Sequence, residues 1–290
     1  MIPGVDVDSI VYLNGEYLRL ADAKVSVLDR GFIFGDGIYD VVPAYSGRPF
    51  RMDDHLSRLE RSLDSINISV DMNRSDWETL VAEMLHRSGL SDCMVYIQVT
   101  RGVAKREHAF PKNSTPTVFC MVAPFSRPTE EERNQGLSAV AIPDIRWLRC
   151  NIKSVSLLGN VLAKQAAVDA GVNEVVQFRD GYLTEGASSN VWIAKSGILL
   201  APPRDNLILE GIRFGLIEEL ALQSGVQLQS RQIAEYEVAT ADEIMITSAT
   251  REILPVTIYN GKPVGDGRPG EVYSKLREGY DNAIKNLEQA

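Results

Sequence analysis

The stretch DIRWLRCNIKSVSLLGNVLAKQ, residues 144–165, decides how the chain is read. Lys153 stands in its polar middle, at a strand-to-helix passage, and the run that follows repeats Leu157, Leu158, Val161, Leu162 and Gln165 at helical spacing, which predicts a helix from about 156 to 170. Upstream, LSAVAIP (137–143) is a strand; downstream, NEVVQF (173–178) is another, after which Asp180-Gly181 turns the chain into further strands. GIRFGLIEELALQSG (211–225) is a second helix, ended by Gly225. Thirty-two residues after Lys153 comes TEGASSNVW (184–192), where Glu185 precedes small and polar residues and then an apolar strand. Taken separately, such a lysine is ordinary surface and such a segment an ordinary loop.

The N-terminal half is sheet and helix in a different arrangement. IVYLNGEYLRL (10–20) reads as two strands around an Asn14-Gly15 turn, a dipeptide that tolerates the positive φ of tight hairpins. In DDHLSRLERSLDSI (53–66), Leu56, Leu59, Leu63 and Ile66 recur every three or four residues, an amphipathic helix with Asp53 or Asp54 available as N-cap and Arg58 near its start. A helix over 74–88 and the β-branched strands CMVYIQVTRG and TPTVFCMVAPF follow. SRPTEEERNQG (126–136) is polar, contains Pro128 and ends on glycine, the look of an interdomain linker. The expectation is therefore α+β with two lobes, 1–125 and 137–290, the second carrying most of the site.

Composition narrows the function. A net charge of −9 without a Lys/Arg run disfavours nucleic acid. Three cysteines (Cys93, Cys120, Cys150) without a C-x-x-C pair make no disulfide framework, and three scattered histidines offer no zinc spacing, so no metal is expected. No apolar run reaches the ~20 residues of a membrane span, and the N-terminus lacks the pattern of a secretory signal. A cytoplasmic small-molecule enzyme is expected.

Six blocks in order, DRGFIFGDGIYDVV, VTRG…REHAFP, DIRWLRCNIKS, LLGNVLAKQ, TEGASSNV and TSATREILPV, resemble the fold-type IV pyridoxal-phosphate enzymes, and most closely the D-amino acid aminotransferases among them. The resemblance runs from the Tyr12 strand to about Gly261. It implies a two-lobed α+β homodimer that binds pyridoxal 5'-phosphate and transaminates D-amino acids and 2-oxo acids by a ping-pong route through pyridoxamine phosphate. It makes Lys153 the Schiff-base lysine and Glu185 the carboxylate against the cofactor ring nitrogen. Arg58 becomes the phosphate arginine, Gly211-Ile212-Arg213 and Ser248-Ala249 the phosphate-facing turns, Leu209 the residue packed on the ring, and Ser188 a further cofactor contact. Tyr39, Arg106 and His108 match the substrate-carboxylate trap, the last two reaching in from a neighbouring subunit. Two positions depart from the pattern: Arg213 and Ala249 stand where relatives commonly carry threonine, so two phosphate hydroxyls are missing. An (R)-selective amine transaminase shares the cofactor residues, but a carboxylate trap has no purpose there. Aminodeoxychorismate lyase, which uses the same lysine to expel pyruvate, and a non-catalytic vitamin-B6 carrier are the remaining alternatives.

Overall fold

The computed structural model describes residues 4–289. The chain divides into two compact units: one takes the chain up to Ser126 plus Ile152–Ser156, the other Arg127–Asn151 and the chain from Leu157 onward.

The first unit opens on the hairpin of β1 (Ile10–Leu13) and β2 (Glu16–Arg19), with Asn14 at φ 52° and Gly15 at φ 97°, the consecutive positive values that a two-residue primed turn requires. Helix α1 (Arg30–Phe34) leads into the long strand β3 (Gly37–Tyr45), followed by β4 (Arg48–Pro49), α2 (Met52–Ser65), α3 (Arg74–Ser88), β5 (Cys93–Thr100) and β6 (Thr117–Pro124). Among the described residues these strands form one antiparallel sheet in the order β2-β1-β6-β5-β3-β4. Leu56, Leu59 and Leu63 of α2 and Leu80, Val81 and Met84 of α3 are buried in one cluster with Val95, Ile97 and Val99 of β5. Alternation along β5 puts those three on one face, so the helices cover that face. Neither Asp53 nor Asp54 caps α2. The helix starts at Met52 behind a left-handed Arg51, and both aspartates lie in its first turn, where carboxylates suit the positive end of the helix dipole.

In the second unit, the polar stretch expected as a linker is largely helix: α4 (Glu130–Gln135) is closed by a reciprocal capping box between Thr129 and Glu132. It is held down from far away in sequence, because Arg127 and Arg133 both pair with the fully buried Glu252, at 2.9 and 3.1 Å. Next come β7 (Leu137–Pro143), α5 (Leu158–Asp169) and β8 (Glu174–Arg179), and β7 pairs β8 in parallel with α5 as the crossover. Then follow β9 (Tyr182–Leu183), β10 (Asn190–Lys195), β11 (Ile198–Ala201), α6 (Ile212–Gln223), β12 (Leu228–Ser230), α7 (Glu235–Ala239), β13 (Glu243–Ser248), β14 (Glu252–Tyr259), β15 (Lys262–Pro263) and α8 (Glu271–Gln289). The described strands make a mixed sheet ordered β12-β11-β10-β13-β14-β7-β8-β9, with β15 on β14. Among the described residues no helix is long and apolar enough to cross a membrane.

The segment 152–156 departs from the sequence-based lobes. It lies within the C-terminal sequence but packs with the first unit. Its backbone joins the start of β3: Tyr39 N–H donates to the Lys153 carbonyl at 2.9 Å and Val155 N–H to the Gly37 carbonyl at 3.0 Å.

Candidate functional site

Each unit gathers its own share of the expected residues. In the first, the bonds between β3 and the 152–156 segment fix the Lys153 backbone opposite Tyr39, and Lys153 Nζ lies 4.1 Å from the centroid of the Tyr39 ring. Tyr39 is itself stacked on Tyr96, centroids 5.6 Å apart. A lysine amine over the face of a half-buried tyrosine is placed by packing on one side and a backbone ladder on the other.

One residue along β3, on the opposite face, Asp40 is buried and accepts from Arg58 twice, from Nε at 2.8 Å on Oδ2 and from Nη2 at 2.8 Å on Oδ1. His55 Nδ1 lies 2.7 Å from Asp40 Oδ1. Burial alone would push the Asp40 carboxyl up, but the Arg58 guanidinium and His55 beside it hold it well below the usual carboxylate range. Arg58 is thus oriented by a fork-to-carboxylate pair, the strongest geometry available to a guanidinium. Sequence reading missed Asp40 and His55. His55 sits three residues before Arg58 on the same helix face, a spacing that could have drawn attention to it.

The third group in this unit is the loop after β5. Arg106 and His108 are exposed, and both rest against Phe34: the Arg106 Cζ is 5.5 Å from its ring centroid and the His108 ring 5.4 Å. Glu107 pairs with Lys105 at 2.6 Å, and among the described residues no carboxylate pairs with Arg106.

In the second unit the centre is Glu185, buried just after β9. Its Oε2 accepts from Leu209 N–H at 3.0 Å and from Asn190 Nδ2 at 3.3 Å, while Oε1 is paired with Arg146 Nη1. Arg146 in turn grips Asp144 through Nε at 2.9 Å and Nη2 at 2.7 Å, and Asp144 also accepts from Thr184 Oγ1 at 2.9 Å. Burial pushes the Glu185 carboxyl above its ordinary range, with Arg146 and the Leu209 N–H opposing it. The DIRW motif therefore builds the support of Glu185, a role not assigned to it from sequence. Asn190 Nδ2 also donates to the Leu209 carbonyl at 2.8 Å, which fixes the approach to α6.

Gly211 caps α6, and a Cβ there would overlap Asn190 Oδ1, so no larger residue fits without displacing the amide that holds Glu185 and Leu209. Ile212 and Arg213 open the helix, where backbone N–H groups point outward and suit an anion. Arg213 is buried; its Nη2 donates to the Ala249 carbonyl at 3.4 Å and its Cζ lies 5.9 Å from the Tyr280 ring centroid. Arg213 thereby ties the two expected turns together. Ser248 Oγ accepts from Arg251 N–H at 3.1 Å, closing the second turn. Ser188 is exposed, and it is the neighbouring Ser189 whose hydroxyl is engaged, donating to Glu174 at 3.0 Å.

Comparison with known proteins agrees in extent. The family described as Amino-transferase class IV matches residues 37–259. The D-alanine aminotransferase of Staphylococcus epidermidis is 38% identical over 277 residues, covering 95% of this chain and 98% of its own. Among solved structures, the branched-chain amino acid aminotransferase of Escherichia coli superposes with a TM-score of 0.90 at 23% identity, covering 95% and 94% of the two chains. A hypothetical aminotransferase from Mycobacterium tuberculosis, in its PLP-bound form, superposes with a TM-score of 0.82 at 23% identity, covering 96% of this chain and 99% of its own. Since the family spans both the β3 strand of Tyr39 and the Lys153 and Glu185 blocks, and the relatives match almost end to end, the chain belongs to the class IV aminotransferases.

Proposed function

We propose that this aminotransferase moves amino groups between D-amino acids and 2-oxo acids, D-alanine and 2-oxoglutarate being of the expected type. The observation that carries the choice of substrate is the Arg106 guanidinium, exposed beside His108 with no carboxylate of the described chain paired to it. A guanidinium and an imidazole presented together suit a planar carboxylate.

The cofactor is pyridoxal 5'-phosphate, which supplies an electron sink and carries the amino group from one substrate to the next. The chain's residues fit it: a buried carboxylate with fixed donors, a glycine-capped helix start and a positioned lysine are what a pyridine nitrogen, a phosphate and an aldehyde carbon require. Lys153 would hold the cofactor covalently and, once displaced by the substrate amine, its free Nζ would take the substrate Cα proton. Glu185 would keep a proton on the ring nitrogen. Arg58 and the N–H groups of Gly211, Ile212, Arg213 and Ala249, with Ser248, would hold the phosphate, and Leu209 and Ser188 would make further contacts to the cofactor. Tyr39, Arg106 and His108 receive the substrate carboxylate and so determine which hand presents its Cα–H to Lys153.

The active protein is a homodimer in which Arg106 and His108 serve the partner's site. Leu158, Val161 and Leu162 on one face of α5, with Ile145, Trp147 and Leu148, are exposed, a surface of the kind a second copy covers. We place the enzyme in the cytoplasm, with its free amino and oxo acids.

Borohydride reduction and peptide mapping test the lysine: the pyridoxyl adduct is expected on Lys153, and an adduct on any other lysine refutes the assignment. Matched half-reactions with D- and L-alanine test the substrate, with the D form faster by at least ~10²-fold because the L form buries its side chain against the charged cluster. Equal rates overturn the D reading.

A further inference from the structure

The loop that carries Arg106 and His108 has almost no regular structure, yet it is tied down to the rest of the first unit. Arg30, buried at the start of α1, donates from Nη1 to the Glu107 carbonyl at 2.5 Å and from Nη2 to the His108 carbonyl at 3.4 Å. Its Nε donates to Asp36 at 2.7 Å. Asp36 is shared with Arg101, which donates to it from Nε at 2.8 Å and Nη2 at 3.0 Å and stacks its guanidinium 3.6 Å from the Phe110 ring centroid, at the far end of the loop. Arg101 also reaches the carbonyls of Ile66 and Asn67, at 2.7 and 3.0 Å, behind α2. Phe34, four residues after Arg30, is the shelf under both functional side chains, and the Arg30 Cζ lies 4.8 Å from its ring centroid. The helix carrying Arg30 and Phe34 is itself anchored: its cap Asp29 accepts from Thr100 at 3.0 Å and Thr117 at 2.7 Å, on β5 and β6.

We infer that Arg30 is a positioning residue for the substrate carboxylate, an inference that rests on the reading of Arg106 and His108 as the carboxylate trap. An exposed loop left to itself spends conformational entropy when it closes on a ligand, and that loss is subtracted from affinity. Arg30 fixes the peptide carbonyls on either side of the His108 Cα before any ligand arrives. Its effect is therefore on how much carboxylate is needed and not on what happens to it once bound. Donors on two successive carbonyls hold both peptides joined at the His108 Cα; a single donor leaves one of them free to rotate.

The test uses the holoenzyme and its Arg30→Met and Arg30→Lys variants, with propionate as a bare carboxylate probe followed through the His108 imidazole resonance, His86 serving as internal reference. Arg30→Met is expected to weaken propionate binding and raise KM for D-alanine each about tenfold while kcat holds, and Arg30→Lys, with one reaching donor, to fall between. Folding of each variant is checked by its melting temperature, and Arg30→Lys, which keeps the buried charge beside Asp36, decides the matter if Arg30→Met does not fold. Unchanged propionate affinity and KM in a folded variant overturn the inference and leave Arg30 a structural staple. Arg106→Ala separates the two ideas: if it too leaves propionate binding intact, the trap reading itself fails.

Discussion

Glu185 is subject to two opposing influences, burial that favours its neutral form and Arg146 that favours its charge. Glu185→Gln keeps the shape but cannot hold a proton on the cofactor ring; single-turnover rates with D-alanine should fall on the order of 10²-fold or more while cofactor content stays near normal. Arg146→Met should act through the same carboxylate. With the compensating charge gone, its pKa rises further, so the acid limb of the kcat/KM profile should move to higher pH, and an unshifted limb would show that Arg146 only packs. Lys153 and Glu185 can be proposed from the sequence because their surrounding blocks carry the family pattern. Asp40 and Arg146 are not, since what matters about each is a partner, Arg58 and Glu185, that lies 18 and 39 residues away in the chain.

At the scale of elements, periodicity is a good guide where one face is simply apolar. The spacing of Leu56, Leu59 and Leu63 marks α2, and replacing fully buried Leu59 by alanine should cost about 2–5 kcal/mol in a urea titration. Backbone geometry is less visible from sequence. Gly102, which ends the VTRG block, sits at φ 87°, and a Cβ there would overlap the Thr115 carbonyl oxygen. Gly102→Ala is therefore expected to destabilise the protein and disturb the loop that follows, seen as a lowered melting temperature and weaker D-alanine saturation together. The stretch 126–136 holds a helix that its composition does not announce. Its polarity is real, but Arg127 and Arg133 spend their charge on Glu252, and such ion pairs over more than 100 residues leave no local trace. The start of α2 falls earlier than the aspartates suggest because helix dipole and cap both favour aspartate, and composition alone does not separate the two roles.

For the whole molecule, acid should be the vulnerable side. Burial would raise the carboxyls of Asp36, Asp40 and Asp144, but the arginines beside them lower all three below their ordinary range. A group depressed in the folded state adds stability above its unfolded pKa, about 4 for aspartate, and that stability is lost as pH falls below it toward the folded value. Melting temperature should thus drop steeply below about pH 4, and Asp36→Asn should flatten part of that slope while lowering stability at neutral pH. The placement of 152–156 with the first unit leaves no mark in the strand and helix pattern. That placement bears on how genes of this kind can be recombined. A chimera that takes its first 126 residues from a relative asks a foreign β3 to accept this chain's Lys153 and Val155 backbone, so a single crossover is a poor design. Three junctions, after 126, 151 and 156, would let Lys153 travel with the strand that aligns it.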